Sequence, residues 1–179
     1  ERIIKYIEKN HGCCDLVVNV QGDESFIHPE SIDKMIQTYL DNEDKNVKCS
    51  TLHFKIDREE IGSKSIGKVI LDKNNCILYC SRNPIPSGKK ENILEDKEYY
   101  GNAGLFVFDK KYLLEEYSKE NTTYQLSEDI EWLKILEHGY KIKSTLRLET
   151  CKLVNTVTNI DRNIINKGVF KELDEKVEK

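Results

Sequence analysis

Apolar positions along this chain switch between a helical and a strand period. Ile3, Ile4 and Ile7 recur at helical spacing, so the chain opens inside an amphipathic helix over residues 2–10. Residues 15–21 (DLVVNVQ) are nearly continuously apolar and predict a strand buried on both faces, as in a parallel sheet. The polar cluster Gln21-Gly22-Asp23-Glu24-Ser25 ends it. Pro29 suits a first helical turn, and Ile32, Met35, Ile36, Tyr39 and Leu40 then fall at i, i+3, i+4, i+7 and i+8. Residues 47–56 read as a strand rich in β-branched and aromatic side chains. Residues 66–71 and 76–80 flank Asp72-Lys73-Asn74-Asn75, a hairpin signal, because Asp and Asn tolerate the left-handed conformations of tight turns. A polar loop over 81–96 holds two of the three prolines. Residues 99–108 (YYGNAGLFVF) form a strand with a glycine-rich start. Asp109 can cap a helix over 110–118, and Ser127 a second over 128–138, with acids in its first turn and Gly139 past its end. Residues 140–148 and 152–156 are strand candidates, and an amphipathic helix is expected from 159 onward. This alternation predicts one α/β domain over 1–179: a mixed, mostly parallel central sheet flanked by helices, with a hairpin and loop insertion around 66–100.

Composition narrows the function classes. The 28 basic and 32 acidic residues leave a net charge of −4, which disfavours non-specific nucleic-acid binding. The apolar runs are too short to span a bilayer, and residues 1–5 lack the apolar core of a signal peptide, so a cytoplasmic protein is expected. The six cysteines include no CxxC pair, which favours reduced, buried thiols over zinc ligands. The chain begins at Glu1 with a helix in progress, and the expectation is a segment of something longer.

Five places carry candidate chemistry. Gln21-Gly22-Asp23-Glu24 sits at the carboxyl end of a buried strand, where open α/β sheets bind ligands. A glycine there lets a ligand approach the backbone, and a carboxylate can hold Mg²⁺ beside phosphate oxygens. An ordinary polar turn has the same composition. Arg82, leaving a strand before the proline-stiffened Asn83-Pro84-Ile85-Pro86, suits a carboxylate or phosphate, or is simply solvated. In Gly101-Asn102-Ala103-Gly104, either the backbone approaches a ligand or the strand carries a bulge. Glu128 and Glu131, three apart on the expected helix, share a face and with Asp129 could bind a polyhydroxy substrate; a solvated helix start is the alternative. Asn155-Thr156 is a second arm of a metal site or a plain turn. Gly62-Ser63-Lys64-Ser65 lacks the spacing of a phosphate loop and is set aside.

Together, the stretches 15–33 (DLVVNVQGDESFIHPESID), 68–86 (KVILDKNNCILYCSRNPIP), 101–113 (GNAGLFVFDKKYL), 127–142 (SEDIEWLKILEHGYKI) and 153–162 (LVNTVTNIDR) resemble the 3-deoxy-manno-octulosonate cytidylyltransferase family. The resemblance implies a nucleotide-diphospho-sugar transferase-like fold, a homodimer with the hairpin region as its dimerisation element, and Mg²⁺ as cofactor. It implies a reaction in which CTP and a 2-keto-3-deoxy sugar acid give a CMP-sugar and pyrophosphate. By the same resemblance Asp23 is a catalytic, metal-binding carboxylate, Arg82 a catalytic residue near the sugar-acid carboxylate, Gln21 a substrate contact, and Gln21 with Gly22 a cofactor-binding pair. Asn102, Gly104, Glu128 and Glu131 would face the sugar. The family's phosphate-cradling loop precedes the first matching stretch. Asn102 and Phe106 stand where the family usually has His and Tyr, Ser25 where it has Pro, and Asn155 where it has a second metal-binding Asp. The alternative reading is a catalytically degenerate homologue or fragment that serves as a nucleotide-binding or dimerising module.

Overall fold

The computed structural model describes residues 2–10, 14–22, 27–89 and 93–148. Among these, helix α1 (Arg2–Asn10) precedes strand β1 (Leu16–Asn19), helix α2 (Pro29–Leu40) and strand β2 (Val47–Lys55). Strands β3 (Lys68–Leu71) and β4 (Ile77–Ser81) form the expected hairpin. Its turn is local chemistry: the Asp72 carboxylate accepts from the Asn74 and Cys76 N–H groups, both at 2.8 Å, and Asn75 takes a left-handed φ of 58°. Strand β5 (Tyr100–Asp109) runs into helix α3 (Lys110–Tyr112), which continues as a π-helical turn over Leu113–Tyr117. The Asp109 carboxylate caps α3, accepting from the Tyr112 N–H at 2.7 Å. Helices α4 (Thr123–Glu128) and α5 (Leu133–Glu137) and strand β6 (Lys141–Leu146) follow. The strand expected at 152–156 and the helix from 159 lie outside the described residues.

One mixed sheet joins all six strands in the order β4-β3-β5-β2-β6, with β1 also paired to β5. It is not the mostly parallel sheet that the alternation predicts. Only β2 and β6 pair in parallel; β5 pairs antiparallel with β1, β2 and β3, and β3 with β4. The cause is topological. β1 and β2 share a direction, joined through α2 as a crossover unit, but β5 fills the slot between them and runs against both. β1 is also less buried than a central strand: Val18 is 38 % exposed, because among the described residues β1 pairs along one edge only.

β5 organises the core by simple alternation. Ala103, Leu105 and Val107 pack with Met35 and Leu52 under α2. Phe106 and Phe108 point the other way, into the larger cluster with Ile4, Tyr117, Trp132 and Leu133 beneath α1, α3 and α5. Each such large apolar side chain contributes about 1.5–3 kcal/mol on burial. A third cluster, Ile56, Ile61, Ile66 and Tyr99, anchors the loop before β3.

The helix expected over 128–138 is broken. A capping box of Thr122 and Gln125 starts α4 at Thr123, five residues before the expected start at Glu128. The helix stops at Asp129, which adopts a left-handed φ of 53°, while the Ile130 N–H reaches back to the Gln125 carbonyl at 3.1 Å. That turn drives Ile130 into the core, where it is 7 % exposed. Glu128 therefore ends one helix, Glu131 precedes the next, and the shared helical face does not exist.

Candidate active site

β1 and β3 lie against the same edge of β5 but at opposite ends. β1 pairs with residues 106–109 and β3 with residues 100–101. Between the Asn102 N–H, which donates to the Gly67 carbonyl at 2.9 Å, and Phe106, opposite Asn19, no described strand covers that edge. On its other edge β5 bulges: Thr51 to His53 of β2 faces Phe106 to Asn102, so β5 carries two extra residues. Of the two sequence alternatives at 101–104, the bulge is realised, and it forms the base of a cleft of about 290 Å³ lined by Gln21, Arg82, Asn102, Gly104, Asp129 and Glu131.

Asn102 spends its amide on the bulge. Its Oδ1 accepts from the Gly104 N–H at 2.9 Å, and its Nδ2 donates to Thr51 Oγ1 at 3.0 Å. The Thr51 hydroxyl donates onward to the Leu105 carbonyl at 2.6 Å. This closed circuit holds Gly104 at a φ of +74°, a conformation that favours glycine. The Gln21 side chain lies against that glycine, within 3.6 Å of where a Cβ would stand. Around Gly22 a Cβ would meet nothing within 4 Å, so the space above this residue is open.

Arg82 forms one wall. Its Nε donates to the Glu128 carbonyl at 3.3 Å, Nη1 to the Lys64 and Ser65 carbonyls at 3.0 and 3.4 Å, and Nη2 to the Asp129 carbonyl at 3.0 Å. These acceptors are neutral. The exposed Asp129 carboxylate lies 4.0 Å from Nη2, a solvent-screened pairing that neutralises little of the guanidinium charge. The Glu128 carboxylate accepts from the Arg82 main-chain N–H at 3.1 Å and from the Tyr79 hydroxyl at 3.3 Å. Arg82 and Glu128 thus meet, through the left-handed turn at Asp129 rather than through a helix face. Asp129, beside Arg82, and Glu131 add acidic groups to the lining. Phe106 and Trp132 pack 5.7 Å apart beneath them. Burial and the Glu128 charge push the Cys80 thiol up to about 12, so the one cysteine lining the cleft is protonated and no nucleophile.

Of the expected site residues, Gln21, Arg82, Asn102, Gly104 and Glu131 line this cleft, and Glu128 stands behind Arg82. Asp23 and Asn155, the expected metal ligands, lie outside the described residues. Their donor set, a carboxylate and an amide carbonyl, consists of the hard oxygens that suit Mg²⁺. Ser65 and Gly67 also reach the cleft, although the sequence reading set the 62–65 stretch aside. No local motif marks them; only the tertiary position of Arg82 brings them in.

The cleft thus lies at a break in the α/β sheet beside β1, lined by an arginine and acids. Residues 1–144 match the family described as cytidylyltransferase, and the chain belongs to that family. A 3-deoxy-manno-octulosonate cytidylyltransferase of Fusobacterium nucleatum is 32% identical over 151 residues, 84% of this chain and 60% of the relative. One of Protochlamydia amoebophila is 35% identical over 127 residues, 71% of this chain and 49% of the relative. The chain therefore spans about half to 60% of the length of these curated relatives. The solved structure of a CMP:2-keto-3-deoxy-manno-octonic acid synthetase complexed with CTP matches with a TM-score of 0.76. It covers 98% of this chain and 67% of that one at 24% identity, which shows a common fold.

Proposed function

We propose that this chain carries the acceptor side of a CTP-dependent cytidylyltransferase that activates a 2-keto-3-deoxy sugar acid, 3-deoxy-manno-octulosonate or a relative. The observation that supports it most is the cleft's mixed charge. The Arg82 guanidinium, only weakly paired with the exposed Asp129 carboxylate, and the acidic Glu131 both line the cleft at the sheet break beside Gln21. A sugar acid needs both: a cation for its carboxylate and hydrogen-bond acceptors for its hydroxyls. An arginine has five N–H donors. Four bonds go to carbonyls, which leaves one N–H of Nη2 and most of the charge for the acid. Gln21, backed by Gly104, would fix the sugar's orientation.

In the reaction the anomeric hydroxyl attacks the α-phosphate of CTP. The new bond is sugar oxygen to phosphorus, the α–β bridge breaks, and pyrophosphate leaves with the electron pair. Mg²⁺, expected at Asp23 and Asn155, supplies charge neutralisation on the phosphates when bound. The chain's own residues bind and orient the acceptor. A protein consuming CTP works where CTP is made, so we place it in the cytoplasm, as a homodimer; Leu78 of β4 and Tyr124, which packs edge-on against Tyr79 of β4, are 60 % and 53 % exposed and offer apolar surface to such an interface.

The test is pyrophosphate release from CTP and Mg²⁺ with the longest chain its gene encodes. Turnover is expected with 3-deoxy-manno-octulosonate or another keto sugar acid. The carboxamide of the same sugar should have a KM raised at least about tenfold, since it cannot neutralise Arg82. Absence of turnover with every keto sugar acid tried would refute the reading.

A further inference from the structure

Lys68 opens β3 fully out of solvent, yet no carboxylate among the described residues pairs with it. Its ammonium donates instead to three main-chain carbonyls: Ser63, Ile66 at 3.0 Å and Arg82 at 2.9 Å. An ammonium has three N–H donors, so this set is complete. The two carbonyls between Ser63 and Ile66, those of Lys64 and Ser65, accept from Arg82 Nη1. Four successive carbonyls, 63 to 66, therefore turn toward two cations, and one of those cations also grips the main chain of the other. This segment is neither helix nor strand, and it delivers Ser65 and Gly67 to the rim of the cleft.

We infer that Lys68 is a positioning residue of the cleft. It holds the 63–66 carbonyls, and through them the Ser65–Gly67 rim, in the shape the acceptor meets, and it fixes the main chain from which the Arg82 guanidinium projects. Lysine suits the task better than arginine, because a compact ammonium satisfies three carbonyls converging from different directions and a planar fork does not. The second cation behind Arg82 also deepens the positive potential on that wall, on the side where an acid would dock. The consequence for catalysis rests on the reading that the sugar acid occupies this cleft; the consequence for the rim does not.

Two readouts separate these. In Lys68→Met, which keeps the stem and removes the charge, hydrogen exchange over residues 61–67 is expected to quicken by about tenfold or more, with β2 and the second half of β5 unchanged. In steady-state assays the KM for the sugar acid should rise about tenfold, the KM for CTP should stay within about twofold, and Lys68→Arg should not restore it. Unchanged exchange at 61–67, exchange that quickens equally throughout the sheet, or equal increases in both KM values would overturn the inference. If wild type turns over no sugar acid, the acceptor reading falls and the exchange result alone decides the role of Lys68. Should Lys68→Met not fold, Lys68→Gln is measured in its place; if that fails too, fast exchange at 61–67 in the wild-type chain would refute the anchoring and slow exchange would support it.

Discussion

His53 is 6 % exposed, with Nδ1 2.8 Å from Ser144 Oγ and its ring edge-on to Tyr100 at 5.2 Å. Burial, with the Lys34 cation near it, lowers its pKa from 6.5 to about 4. Between those values the unfolded chain binds a proton that the folded one does not. Stability is therefore fully present above about pH 6.5 and drains away as pH falls toward 4. Wild type should lose about 1–3 kcal/mol more than His53→Gln on going from pH 7 to pH 4.5, read from urea midpoints. Gly101 is constrained by space alone: a Cβ there would stand 2.6 Å from Phe54 Cζ and 2.9 Å from Ile66 Cγ2. Gly101→Ala is expected to cost about 1–3 kcal/mol by overpacking. Gly104→Ala meets only ordinary contacts but must adopt a left-handed backbone, at about 1 kcal/mol. A thermal melt of the two variants checks both values.

At the scale of elements, α4 depends on a side chain from α5. The Glu137 carboxylate accepts from the Thr122 hydroxyl and from the Tyr124 and Gln125 N–H groups at 2.9 and 3.1 Å, which holds its pKa below the usual glutamate value despite some burial. Glu137→Ala should cost about 1–2 kcal/mol and fray α4 first, seen as faster exchange over 123–128 than over β6. This dependence explains why the single helix expected over 128–138 is instead the end of α4, a break, and α5. Ser127 and the acids after it carry every local mark of a helix start, yet the true start is decided by Thr122 and Glu137, and the stop by the need to bury Ile130. The hairpin was legible because Asp72 and Asn75 settle its turn within five residues. The α2 helix was legible from its apolar stripe and Pro29. The candidate site was half legible. Gln21, Arg82 and Gly104 line the cleft, but their local patterns fit a polar turn, a solvated arginine and a bulge as readily, and the bulge is what forms at Gly104. The Arg82 partners at 64–65 and 128–129 could not be foreseen, because backbone carbonyls leave no trace in residue type.

At the scale of the molecule, β5 is the hub, and its long pairing with β2 joins segments about fifty residues apart in sequence. Such non-local pairing must form before either core closes, so the two cores are expected to open together. Cysteine alkylation reads this out. Cys14 is exposed, Cys49 and Cys80 are fully buried, and burial pushes both buried thiols well up. Cys14 should label rapidly in native buffer, whereas Cys49 and Cys80, in different strands, should label slowly and at a common rate set by global unfolding, resolved by mass-mapped peptides. Separate rates for the two would mean that the hairpin opens independently of the central strands. The two surplus residues in β5 have a further meaning. Residues 103–105 stand opposite Leu52 alone, so the surplus arches out of the ladder instead of lengthening it. The floor of the cleft is therefore slack in the backbone, like a pleat held by a stitch at either end. Pulling that pleat flat by excising two residues would take the floor away and leave the arginine and the acids of the walls in the chain.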